Sequence, residues 1–99
     1  MFHLETLSIS DNYFTGPFPT FITSAPSLAY VNVGSNGFAG PLPSYMVSTT
    51  ISSFSAYDNF FTGPIPDEYL EWPVEDIDIS YNHIEGLLNW DWMEVDTLK

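Results

Sequence analysis

Cysteine and arginine are absent, and a single lysine faces thirteen carboxylates across 99 residues, leaving a formal charge of −12. Each shortage closes a class. Without cysteine there is no disulfide framework, thiolate zinc site, iron–sulfur cluster or cysteine nucleophile. Without basic side chains the phosphates of a nucleic acid or an anionic leaflet go unneutralised, so neither is an expected partner. Between Asn12 and Tyr57 there is no Asp, Glu, Lys or Arg at all. Proline, glycine, serine, threonine and asparagine nevertheless interrupt that stretch too often for a membrane helix, so no direct membrane insertion is expected of this segment. The opening MFHLETL has no basic n-region and no continuous apolar h-region, and so does not read as a signal peptide.

The apolar content of 44% argues against disorder despite the charge, and one small domain over residues 1–99 is the expectation. The acids are skewed. Glu5 and Asp11 are the only two in the first fifty residues, and the other eleven run from Asp58 onward.

What the sequence does contain is a repeat. Asp11-Asn12-Tyr13-Phe14-Thr15-Gly16-Pro17-Phe18-Pro19 returns as Asp58-Asn59-Phe60-Phe61-Thr62-Gly63-Pro64-Ile65-Pro66. A third copy, Ser35-Asn36-Gly37-Phe38-Ala39-Gly40-Pro41-Leu42-Pro43, lies between them, and a worn fourth follows as Tyr81-Asn82-His83-Ile84-Glu85-Gly86-Leu87-Leu88-Asn89. Asn12, Asn36, Asn59 and Asn82 are spaced by 24, 23 and 23 residues, a period that signals a solenoid.

Ahead of each asparagine, apolar residues recur at three fixed offsets: Leu4, Leu7, Ile9; Leu28, Val31, Val33; Ile51, Phe54, Ala56; and Val74, Ile77, Ile79. The last two of each set alternate with other residues, as in a short strand with one buried face. Stacked in the same direction, four such strands predict a parallel sheet along one side. The asparagines are expected to form a structural ladder, their amides bonding backbone groups freed where the chain leaves the sheet. The columns Phe14, Phe38, Phe61, Ile84 and Phe18, Leu42, Ile65, Leu88 are expected inside. Gly16, Gly40, Gly63 and Gly86 suit a site needing positive φ or a close approach. The paired prolines forbid a long helix and leave extended or 3₁₀ backbone on the outer side.

These residues resemble the leucine-rich repeat family, specifically its plant-type pattern LxxLxLxxNxLTGxIPxxLxxLxx. Leu4, Leu7, Ile9, Asn12, Phe14, Thr15, Gly16, Phe18 and Pro19 fit it in order, as do Ile51, Phe54, Asn59, Phe61, Thr62, Gly63, Ile65 and Pro66. The resemblance implies an α/β-type solenoid with a short parallel β-sheet on the concave face, 3₁₀ or extended segments on the convex face, and little α-helix. Its coils are expected at about residues 4–27, 28–50, 51–73 and 74–97. Members of this subclass usually carry cysteine-paired caps, which this chain does not contain. Leu4 and Leu98 fall where a further coil would pack, so the expectation is a segment of a longer array or a subunit whose ends a partner covers.

The family places ligands on the concave sheet, which implies a non-catalytic recognition module for a protein, peptide or glycan within a receptor-like or secreted inhibitor-like protein, extracellular or at the cell surface. No Asn-x-Ser/Thr sequon occurs, so export rests on the resemblance alone. The outward positions nominate Tyr30, Asn32, Ser55, Tyr57, Asp58, Asp76, Asp78 and Tyr81 as ligand-binding residues, since tyrosine offers rigid contact area with a polar tip. The opposing reading is that they are solvated strand residues. Six acids within residues 67–78 favour a basic partner. No cofactor, catalytic residue or resident metal is expected.

The same residues bear on other classes. A structural scaffold or adhesion segment is the principal alternative. Asp76 and Asp78, two apart on a strand and therefore about 6.6 Å from each other, suit a shared calcium ion, but the glycine and closing glutamate of a calcium loop are missing. An ice-binding surface needs a regular threonine array, and the column Thr15, Ala39, Thr62, Glu85 breaks at alternate coils. A glycosidase pair at Asp76 and Asp78 ranks last, because an open sheet neither excludes water nor separates the two pKa values.

Overall fold

The computed structural model describes residues 4–84 and 97–98. In chain order its elements are β1 (Thr6–Ser8), β2 (Thr15–Gly16), α1 (Thr20–Thr23), β3 (Tyr30–Asn32), β4 (Gly37–Pro41), β5 (Ser53–Ser55), β6 (Phe60–Gly63), a 3₁₀ turn (Asp67–Glu71), β7 (Asp76–Asp78), β8 (His83–Ile84) and β9 (Thr97–Leu98). Odd and even strands sort into two parallel sheets, ordered β1-β3-β5-β7-β9 and β2-β4-β6-β8. Parallel strands in two sheets with almost no helix fit a repeating α/β-type fold.

The first sheet holds a constant register. Leu7, Val31, Phe54 and Ile77 stand opposite one another, and Leu98 continues the row beside Ile77. The alternation seen in sequence produces this: Val31, Phe54 and Ile77 are wholly buried, while the residues on either side turn to the other face. Each such buried side chain contributes about 1.5–3 kcal/mol of apolar burial. Leu28, Val33, Ile51 and Ala56 are buried as well, whereas Leu4, Leu7 and Ile9 in the first turn are only partly covered.

The segments after the asparagines form a second sheet. Extended backbone was expected after each asparagine, but not its pairing. The register here slides: Gly16 faces Phe38, and Gly40 faces Phe61, although Phe38 and Phe61 are the counterparts of Phe14. Each strand is displaced two residues along its predecessor. Because side chains alternate with period two, a slide of two keeps the phenylalanines on one face. Phe14, Phe38 and Phe61 form a near-parallel stack with centroids 6.3 and 6.2 Å apart, wider than the strand spacing of about 4.8 Å because of that slide. Phe38 and Phe61 are buried as expected; Phe14 is half-exposed, since it has a neighbouring turn on one side only among the described residues.

Proline keeps the outer arc short. Pro19 and Pro66, both extended at ψ near 130°, immediately precede α1 and the 3₁₀ turn, which run for four and five residues. A residue without an N–H is at no loss at a helix start. The arc still supplies core: Ile22, Met46 and Tyr69 are buried, and Trp72 stacks on Tyr69 at 4.1 Å while both meet the edge of Phe54. Gly86, Leu87, Leu88, Asn89, Trp90 and Trp92 lie outside the described residues.

The asparagines line up as rungs between turns. The Asn59 side-chain amide donates to the carbonyls of Ala56 and Tyr57 in its own turn and of Val33 in the turn before, and its oxygen accepts from the Phe38 N–H. Asn36 repeats this with Val33, Gly34, Ile9 and Phe14, and Asn82 with Ile79, Ser80, Ala56 and Phe61. Among the described residues Asn12 donates only within its own turn, to Ile9 and Ser10. Asn59→Ala should therefore lower stability by about 1–3 kcal/mol by orphaning buried backbone groups, and Asn12→Ala should cost clearly less. Urea unfolding of the two variants gives the comparison.

One buried group has no such partner. The Tyr69 hydroxyl is buried with no hydrogen bond among the described residues. Burial, and secondarily the charge of Glu68, push its pKa well above the ordinary 10. Above pH 10 the unfolded chain releases this proton and the folded chain keeps it, so stability falls as pH rises through that window. Tyr69→Phe should be neutral to about 1 kcal/mol more stable at pH 7 and should flatten the alkaline limb of a melting-temperature profile.

Candidate functional site

The solvent-facing side of the first sheet is built in rows by its constant register. One row runs Thr6, Tyr30, Ser53, Asp76; the next runs Ser8, Asn32, Ser55, Asp78. The sheet therefore brings Tyr30 and Asp76 into one row, and Asn32, Ser55 and Asp78 into the other. Both rows turn acidic in the fourth turn, where Asp76 is exposed and Asp78 half-buried.

The second row also has work to do within the fold. The Asn32 amide oxygen accepts from the Gly34 N–H at 2.9 Å, and Asp78 Oδ1 accepts from both the N–H and the hydroxyl of Ser80, at 3.1 and 2.6 Å. Ser8 pairs with Ser10 at the same offset. These short loops pin the chain as it leaves the strand, a reason for polar residues there that involves no ligand. Tyr57 lies against Gly34: a Cβ on that glycine would overlap the tyrosine ring. The absence of a side chain at Gly34 is what lets the ring lie flat on the neighbouring turn.

Asp58 and Tyr81 occupy a different kind of position. The residue before each ladder asparagine is left-handed: φ is 59° at Asp11, 54° at Ser35, 54° at Asp58 and 56° at Tyr81. Its N–H still reaches the next turn, as in Asp11 to the Gly34 carbonyl at 3.0 Å and Asp58 to that of Ser80 at 2.9 Å. This reversal swings the chain away from the sheet. Aspartate tolerates such a φ; tyrosine does so at a cost of about 1–2 kcal/mol. Gly16, Gly40 and Gly63 are also at positive φ, at 92°, 89° and 80°, as their recurrence suggested.

Past the reversal, a second surface opens along the edge between the two sheets. The column after the asparagines reads Tyr13, Gly37, Phe60, His83. Tyr13 is 98% exposed and Phe60 56% exposed. His83 is exposed and stacks on Phe60 with centroids 6.3 Å apart and planes 17° from parallel. Gly37 leaves a gap in the column, and a hollow of about 460 Å³ lies there, lined by Tyr13, Thr15, Ser35, Gly37, Asp58 and Phe60 among others. Ser35 Oγ donates to Asp58 Oδ2 at 3.1 Å, from one turn to the next. Sequence reasoning nominated Asp58 but missed Tyr13, Gly37 and Phe60; reading down that column would have exposed the glycine among aromatic residues.

Asp76 and Asp78 share an open face, and among the described residues no three of His, Asp and Glu gather where they would hold a metal ion.

The register, the rungs and the reversal together define one repeating turn. Residues 3–25 match the family model for the leucine-rich repeat. The match supports a leucine-rich repeat protein, and the later turns reproduce the geometry of the matched one. Leucine-rich repeats generally serve as non-catalytic modules for protein–protein interaction. No curated protein matches the chain.

Tyr81 is 83% exposed, so its ring contributes little packing while its backbone is strained. Tyr81→Asn should raise stability by about 0.5–1 kcal/mol, seen as a higher midpoint in thermal melts, because asparagine enters the left-handed region readily.

Proposed function

We propose that this chain is a plant-type leucine-rich repeat recognition segment, a solenoid of four coils drawn from a longer array in a receptor-like or secreted inhibitor-like protein at the cell surface or outside the cell. Its concave sheet binds a basic protein or peptide. The observation that carries this reading is the pair of uninterrupted rows on the first sheet, which run from hydroxyl, amide and tyrosine groups in the first three turns to Asp76 and Asp78 in the fourth. A surface of that kind offers hydrogen bonds and one tyrosine ring at one end and a negative potential at the other. The chain's charge of −12 draws a cationic partner toward the acidic end.

Tyr30 and Ser55 provide the contact area, Asp76 and Asp78 the steering. Asp78 is already held by Ser80, so it meets a partner's cation in a fixed orientation.

The test is binding of a basic peptide library to the chain at low and high salt, followed by Asp76→Asn with Asp78→Asn in one variant. Exposed charge pairs are worth about 0.2–1 kcal/mol each, so the double substitution should weaken selected binders by roughly 2- to 30-fold, and affinity should fall with ionic strength. Binders indifferent to both would remove the reading.

A further inference from the structure

The exposed aromatic column on the edge between the sheets stands apart from the concave face, and among the described residues only its Phe60–His83 pair is stacked. Tyr13 and Phe60 expose their rings to solvent, and between them the column is broken by the one residue without a side chain, Gly37. Rings one turn apart along this edge stand 6.2–6.3 Å from each other, so the two-turn interval from Tyr13 to Phe60 is about 12.5 Å. A flat group stacked at about 3.5 Å on the Phe60 ring fits within that interval. The hollow therefore admits a planar guest stacked on the Phe60 ring rather than one clamped by both rings. At its rim the Asp58 carboxylate is oriented by the Ser35 hydroxyl.

Rings bordering the gap, a carboxylate at its rim and no Lys or Arg on the chain before Lys99 define the chemistry of the occupant. A guanidinium is planar, stacks on aromatic faces through cation–π attraction, and pairs with a carboxylate through its fork of N–H donors. A lysine ammonium is neither flat nor forked. We propose that the gap at Gly37 is a slot for an arginine side chain of a partner protein, which stacks on Phe60 beside Tyr13 and pairs with Asp58.

The Gly37 backbone is not in the left-handed region, and a Cβ there would sit 3.1 Å from the Phe14 carbonyl oxygen and 3.2 Å from Thr15 Cγ2. Filling the slot from its floor therefore risks the fold, and substitutions at the rim are the better probes. Asp58→Asn keeps a residue suited to positive φ, and Phe60→Ala removes an exposed ring.

The experiment is a chemical-shift titration of the isotopically labelled 99-residue chain with Nα-acetyl-arginine amide, with the lysine counterpart and a neutral oligosaccharide as parallel ligands. The proposal expects saturable shifts centred on Gly37, Asp58 and Phe60, at least fivefold weaker binding of the lysine compound, and at least a fivefold loss in both Asp58→Asn and Phe60→Ala. The Asp76→Asn, Asp78→Asn variant should bind the arginine compound with little change, which separates this slot from the concave face. Equal binding of the lysine and arginine compounds, shifts confined to the acidic strands, or occupation of the slot by the oligosaccharide in place of the arginine compound would each overturn it.

Discussion

One primary amide per turn holds the stack together. Where the chain leaves the first sheet it abandons backbone carbonyls that neither sheet can reach, and burying them unpaired would cost more than the adjacent apolar burial supplies. The asparagine meets that demand with both of its functions: its N–H groups close carbonyls in two successive turns, while its oxygen takes the N–H that opens the second sheet. Neither aspartate nor leucine could do both, since the carboxylate has no donor and the alkyl group has neither donor nor acceptor. The left-handed residue just before it is the backbone's share of the same arrangement, because it swings the amide inward toward the groups it must meet.

Most of this architecture was legible because it repeats. The period, the three buried offsets, the asparagine rungs and the positive φ of the motif glycines all follow from residue types recurring at fixed spacing. Three features escaped for specific reasons. The second sheet depends on a slide of two residues between neighbouring turns, which a column-by-column comparison conceals. The left-handed position carries Asp, Ser, Asp and Tyr, so no single residue type announces it. The Tyr69–Trp72 stack lies in the irregular outer arc of one turn and has no counterpart among the described residues to reveal it.

The candidate site was legible in part for the same reason. Strand alternation assigns Tyr30, Asn32, Ser55, Asp76 and Asp78 to the outer face of the sheet, and the register groups them into two rows. What alternation does not convey is that Asn32 and Asp78 also brace the chain where it leaves the strand, or that Asp58 has passed the reversal and belongs to the edge with Phe60. A polar residue on such a face has two employers, the fold and the partner, and only its hydrogen bonds distinguish them.

The rung also has a direction. Asn36 closes the Ile9 carbonyl and the Phe14 N–H of the turn before it, and Asn59 and Asn82 do the same one turn later. A chain emerging from the ribosome therefore completes each turn only when the asparagine about 23 residues downstream has been synthesised. Vectorial growth and structural closure proceed in the same order, with one newly made turn waiting at any moment for its successor.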